Sequence, residues 1–167
     1  MLPLRRTLAT LLLGLGLPAS TTAQAMMPDV ASLRGITHVW LAVLPLRSGL
    51  ATTADTSALR TKIELKLREH GIQVFGPGDV GTRADAVITV EVNSIHGVLW
   101  AIDAEVCVQQ TATVQRTQFV DVTAITWRGG ELSTVGDEHV ADAVLSDASD
   151  AIDQFLDAWL QANPPSR

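Results

Sequence analysis

The apolar positions along the chain change period from one stretch to the next. Gly35–Leu44, "GITHVWLAVL", is a near-continuous apolar run rich in Val, Ile and Trp. Such a run predicts a central strand covered on much of both faces. After a loop over Pro45–Ala54, Thr56–His70 takes helical spacing. Leu59, Ile63 and Leu67 fall on one side, and Lys62, Lys66 and Glu69 face water. Gly71 and then apolar Ile72 follow the last turn, the pattern of a left-handed glycine cap with its hydrophobic contact. A short strand, Ile72–Phe75, leaves that cap.

Strict alternation returns in Ala86–Asn93 and Val98–Gln109. Ile88, Val90 and Val92 oppose Thr89, Glu91 and Asn93. Trp100, Ile102, Ala104, Val106 and Val108 oppose Ala101, Asp103, Glu105 and Gln109. A three-residue loop, Ile95-His96-Gly97, predicts a register pairing Val92 with Trp100 and Val90 with Ile102, with Gly97 in the left-handed position. A further strand, Phe119–Trp127, leads to Gly129-Gly130, which reads as a two-residue primed turn. That turn sets Arg128 opposite Glu131 and Trp127 opposite Leu132, with a strand Glu131–Val135 returning. Asp137 then suits a helix N-cap, with Glu138 in the first turn.

The closing helix, Glu138–Ala162, is amphipathic. Val140, Val144, Ala148, Ile152, Phe155 and Trp159 form one face. Asp142, Ser146, Asp150, Asp153 and Asp157 form the other, read as solvated. Pro164 and Pro165 end it. Two apolar helical stripes and one matching sheet face predict an α+β fold: a five- to six-stranded, mostly antiparallel or mixed sheet with two helices packed on one face.

Two glycine-rich stretches raise the question of phosphate. Gly76–Gly81, "GPGDVG", matches G-x-G-x-x-G letter for letter. A dinucleotide site needs a helix next, and "ADAVITVEV" alternates as a strand. After Gly136 a phosphate loop would place Lys; this chain has Asp137 and Glu138, whose carboxylates occupy the helix end. No nucleotide, metal or other cofactor is therefore expected, and no catalytic residue is assigned. His38 lies on the first strand, His70 closes a helix, His96 sits in a turn and His139 in a helix first turn. None belongs to H-E-x-x-H, and neither G-x-S-x-G nor Cys-x-x-Cys occurs. Asp103 and Glu105 point the same way on one strand, a pair that can hold a cation or do acid/base work but more often forms a wet sheet face. Cys107 shares that face. Glu91, on the neighbouring strand, completes an acidic cluster. Like charges so close destabilise a sheet unless something cationic offsets them, so Glu91, Asp103 and Glu105 are the candidate partner-binding residues, fitting a basic patch on a partner.

Charge and the amino terminus narrow the setting. Arg5 and Arg6, the apolar run Leu8–Leu17 and Ala23-Gln24-Ala25 have the plan of a secretory signal peptide, residues 1–25, cleaved before Met26. The apolar run is too short for a membrane anchor, which needs about 18 residues or more. Residues 26–167 then form a single α+β domain, periplasmic or secreted. The whole chain carries 18 acidic and 12 basic residues, net charge −6, and loss of Arg5 and Arg6 moves it to −8. That balance repels phosphate backbones and argues against nucleic acid. Cys107 is the single cysteine, so no internal disulfide forms.

"LRGITHVWLAV", "ELKLREHGIQV", "VEVNSI", "IDAEVCVQQ", the Trp-Arg-Gly-Gly to Ser-Thr-Val-Gly stretch and "DQFLDAWLQANP" come in an order that resembles a widespread set of uncharacterised exported bacterial proteins, over most of residues 33–164. That set has no established activity, so the resemblance implies none. In layout the chain also looks like small envelope domains: the curli-assembly and penicillin-binding-protein activator lipoproteins, and the amino-terminal domain of the Tol translocation protein. Fold does not decide function. The expectation is a non-catalytic binding or assembly module of the cell envelope with a protein partner. The alternatives are a small exported hydrolase without a recognised motif and a carrier of a small apolar ligand between helices and sheet.

Overall fold

The computed structural model describes residues 30–46, 55–76, 79, 83–114 and 120–165. The expected leader, most of the expected Pro45–Ala54 loop, most of the Gly76–Gly81 stretch and Phe119 at the start of the expected strand lie outside the described residues. Among the described residues two short 3-10 turns, Val30–Leu33 and Asp137–His139, accompany seven longer elements. In chain order these are β1 (His38–Val43), α1 (Thr56–Glu69), β2 (Gln73–Phe75), β3 (Ala86–His96), β4 (Trp100–Val114), β5 (Val120–Val135) and α2 (Val140–Ala162).

The strands make one five-stranded sheet in the order β2-β1-β3-β4-β5. β1 is internal, as its apolar run predicts, and runs parallel to both β2 and β3. α1 supplies the crossover that parallel pairing of β1 and β2 requires. The longer ladders, β3 with β4 and β4 with β5, are antiparallel. The sheet is therefore mixed, within the α+β class expected.

One face of the sheet is buried. Val39, Leu41, Val74, Ile88, Val90, Val92, Ile102, Ala104, Val106 and Val108 all point into the core. Leu59, Ile63 and Leu67 of α1 and Val140, Val144, Ala148, Ile152 and Phe155 of α2 meet them there. Burying a Val, Leu, Ile or Phe side chain stabilises by about 1.5–3 kcal/mol relative to exposure. α1 starts at Asp55, whose side chain accepts from the Ser57 N–H at 2.7 Å. It ends as its sequence predicts: Gly71 takes φ +84°, Ile72 N–H bonds Leu67 O at 3.0 Å, and Gly71 N–H bonds Arg68 O at 2.9 Å. Leu67 and buried Ile72 close the cap. The five polar residues expected on the outer face of α2 are all exposed, and Asp153 reaches Lys66 of α1 at 2.6 Å.

Three expectations are overturned. Gly129-Gly130 is not a turn, because both glycines lie inside the continuous strand β5. A Cβ on Gly130 would stand 2.7 Å from the Ala104 carbonyl oxygen, and one on Gly129 would run into the Trp127 ring. The glycines are there for close packing: the Trp127 indole folds over the strand and meets Phe155 edge-on, ring centroids 5.6 Å apart. An aromatic laid over an edge-strand glycine restores the packing that the glycine lacks. Arg128 and Glu131 consequently lie three residues apart on one strand and on opposite faces, and are not cross-strand partners.

The β3–β4 register also differs. Val92 pairs with Ala104 and Val90 with Val106, and the connecting residues are Gly97, Val98 and Leu99. The slip is even, so every side chain keeps its expected face. What lengthens the ladder is His96, which pairs with Trp100 and stacks on its ring at 4.3 Å. Gly97 does not adopt positive φ. Finally, Asp137 does not cap the closing helix. Its carboxylate accepts from Trp100 Nε1 at 2.7 Å and lies 3.3 Å from His96 Nε2, and α2 begins only at Val140 without a side-chain cap.

Candidate functional site

Because both helices cover the same side, the other face of the sheet carries no helix among the described residues. From β1 to β5 it presents Trp40, Ala42, Val87, Thr89, Glu91, Asn93, Ala101, Asp103, Glu105, Cys107, Arg128, Leu132 and Thr134, each half-buried or exposed. At the β2 edge, Phe75 stacks with His38 at 5.6 Å and meets Trp40 edge-on at 6.1 Å. The face is thus aromatic at one edge, charged in the middle and apolar near the tip, where Leu132, Ile95, Val98 and Leu99 are exposed.

The three acidic candidates come together there. Glu91 of β3 pairs directly with Glu105 of β4, and Asp103 lies between Asn93 and Leu132. The cation that such a cluster needs comes from within the chain. Arg128 of β5 sets its Nε 2.6 Å from Glu105 Oε1. Sequence reading missed this pair because the supposed turn at Gly129-Gly130 placed Arg128 elsewhere. The same Glu105 oxygen accepts from the Cys107 thiol at 2.8 Å. Burial pushes that thiol up, and the Glu105 hydrogen bond adds to the rise, while Arg128 opposes it. A thiol held protonated is a poor nucleophile.

His38, the strand histidine, has company that resembles a catalytic set. Thr37 Oγ1 lies 2.8 Å from His38 Nδ1 and donates to Asp85 Oδ2 at 3.1 Å. Asp85 also lies 3.6 Å from His38 Nδ1. Hydroxyl and carboxylate therefore meet the same ring nitrogen. A working base takes its proton on one nitrogen while an acid holds the other, so this arrangement does not activate Thr37. Asp85 Oδ2 instead accepts the backbone N–H groups of Thr37 and His38, each at 2.8 Å, tying the start of β3 to the start of β1. Those backbone hydrogen bonds, Thr37 first, hold the Asp85 carboxyl below the usual carboxylate range.

Two of the other histidines are committed as well, while exposed His139 lies 3.8 Å from Glu138 Oε1. His70 Nδ1 lies 2.9 Å from Lys66 O at the helix end, and His96 is stacked on Trp100. Among the described residues, no group of three or more His, Cys, Asp or Glu side chains is arranged to hold a metal ion. Sequence reading also missed a clasp at the end of α2. Trp159 Nε1 donates to Ile36 O at 2.8 Å, Asn163 Nδ2 to Leu33 O at 3.0 Å, and Gly35 N–H to Asn163 Oδ1 at 2.7 Å. It ties the carboxyl end of α2 to the entry of β1.

Among the described residues no helix is long and apolar enough to cross a membrane. No family model matches the chain, and no curated protein does. The resemblance to an exported bacterial family therefore rests on the quoted segments alone. Solved structures that are similar to the chain include two at low identity. PelC from Paraburkholderia phytofirmans, a dodecamer, is 16% identical with a TM-score of 0.43, covering 78% of this chain and 91% of that one. A minor lipoprotein from Acinetobacter baumannii is 14% identical with a TM-score of 0.31, covering 73% of this chain and 91% of that one. At these scores neither likeness decides what this chain binds or does.

Proposed function

We propose that the chain is a non-catalytic binding module of the bacterial cell envelope, exported by residues 1–25 and engaging a protein partner through the helix-free face of its sheet. The observation that carries this reading is the character of that face. It is a broad surface, aromatic, charged and apolar in turn, and among the described residues no helix lies over it. Surfaces of that kind meet macromolecules, whereas small-molecule sites are concave and enclosing. Two further points support it. The groups that a hydrolase would use are held by structural bonds: Asp85 by two backbone N–H groups, and Cys107 by a neighbouring carboxylate. The space between helices and sheet is filled by fully buried side chains such as Phe155, Ile152, Ile63 and Ile88, where an apolar ligand would otherwise sit.

A photo-crosslinking residue placed at Asp103, in the native envelope, should capture a discrete adduct. The same residue at Asp157, exposed on the outer side of α2, should not. Equal capture at both positions, or capture at Asp157 alone, would remove the open face as the site. Asp103→Asn should then weaken capture of that adduct by an untouched crosslinker at Thr89, with the melting temperature equal or higher.

A further inference from the structure

A second site lies at the end of the sheet, away from the middle of the open face. A polar cleft of about 390 Å³ is lined by Arg34, Arg83, Asp85, Gln110 and Thr111, with the backbone at Gly35. Arg34 follows the first 3-10 turn, Arg83 precedes β3, and Gln110 and Thr111 belong to β4.

The two arginines are distinguished by what they do not touch. Seven Lys and Arg residues are described. Arg60 and Arg68 pair with Glu64, Lys66 with Asp153 and Arg128 with Glu105. Lys62 donates to Leu145 O. Arg34 and Arg83 remain, and among the described residues neither guanidinium has a carboxylate within ion-pair distance or an acceptor for its N–H groups. Both are exposed, and both line the same cleft of an acidic protein.

Gln110 adds an oriented donor. Thr126 Oγ1 donates to Gln110 Oε1 at 2.6 Å. That bond occupies the amide oxygen and leaves the amide NH2 to donate. Among the described residues Asp85 is the one acidic residue lining the cleft, and its Oδ2 is turned to the Thr37 and His38 N–H groups. The donors in the cleft thus outnumber its acceptors. A guanidinium fork matches the two oxygens of a carboxylate or a phosphate, and such charge-assisted bonds are the strong ones.

We infer that this cleft binds an oxyanion, a carboxylate or phosphate group, through Arg34 and Arg83 with Gln110 as a third donor. The site is independent of the open-face reading and stands or falls separately.

The test uses the mature chain with inorganic phosphate and with glucuronate as separate probes, followed by calorimetric titration and melting temperature. At least one probe should bind and raise the melting temperature. The double variant Arg34→Gln with Arg83→Gln should bind it about tenfold or more weakly. Gln110→Glu should do the same by placing a carboxylate among the donors. Arg128→Gln, on the other site, should leave binding unchanged. Far-UV circular dichroism checks that the exposed-site variants remain folded. A response to phosphate alone assigns a phosphate-bearing ligand, and one to glucuronate alone a carboxylate-bearing one. No response to either probe, or an equal response from the double variant, overturns the site.

Discussion

Arg128 and Glu105 sit on neighbouring strands with Nε and Oε1 2.6 Å apart, and the Cys107 thiol shares that same carboxylate oxygen. Partial exposure makes the ion pair a modest contributor to stability, typically below about 1 kcal/mol. Its effect on the thiol is easier to read. Glu105→Gln removes an influence that raises the thiol pKa, so iodoacetamide should alkylate Cys107 faster than in the parent near pH 8. Arg128→Gln removes an influence that lowers it, so alkylation should slow. Mass spectrometry of timed aliquots gives both rates. If the two variants shift in the same direction, the three groups are not coupled as described.

Gly130→Ala should destabilise. In an ordinary strand interior the exchange gains roughly 0.5–1 kcal/mol because glycine is intrinsically poor there. Here the new Cβ meets the Ala104 carbonyl oxygen at 2.7 Å, a backbone atom that cannot step aside. A loss of about 1–3 kcal/mol is expected, the usual cost of overpacking. Urea unfolding measures it, and a gain in stability would mean that β5 does not run straight through this position.

Gly71→Ala separates conformation from space. Nothing lies within 4 Å of a Cβ at Gly71, yet its φ is +84°. Left-handed backbone costs an L-residue roughly 1–2 kcal/mol, and that should be the whole effect. Gly71→Asn, better tolerated in that region, should recover part of it. Equal losses for the two substitutions would point away from the dihedral angle.

Acid should loosen the clamp at Asp85. The folded carboxyl lies below its unfolded value of 3.8, so its stabilisation is present above that value and is lost as pH falls through the folded one. Asp85→Asn should lower stability at neutral pH and flatten the decline on the acid side of pH 4. Melting temperatures measured in steps from neutral to strongly acid buffers settle this. Parallel acid limbs for parent and variant would exclude Asp85 as a contributor.

The sequence disclosed what depends on period and hid what depends on partners. Leu59, Ile63 and Leu67, the Gly71 cap, the buried face of β3 and β4 and the apolar stripe of α2 all follow from spacing, because each is decided within its own segment. Gly129-Gly130 misled because a glycine pair looks the same in a turn and beneath an indole. What distinguishes the two is Trp127 lying over the strand against Phe155, a contact made from a distant helix. Asp137 misled for the same reason: Trp100, far away in the chain, takes its carboxylate before the helix can. Of the candidate site, Glu91, Asp103 and Glu105 were placed on one face correctly by parity alone. Their internal cation was not legible, since finding Arg128 required the true course of β5.

The placement of β1 between two parallel neighbours carries a consequence for how the chain reaches this structure. Val90 meets Val106 around a short loop, whereas Val39 meets Ala86 only after α1 and β2 have been set in place. Closing a long loop costs entropy before its contacts repay it. The β3–β4–β5 meander should therefore assemble first, and the slot for β1 should fill late. In refolding kinetics Val106→Ala should mainly slow folding, with φ-values of about 0.5–0.8, while Val39→Ala should mainly speed unfolding, with values near 0–0.3. Until β1 arrives, the inner edge of β3 is an open row of backbone donors and acceptors. Crowded refolding should then produce aggregates paired along that edge, and a peptide spanning His38–Val43, added in excess, should suppress them.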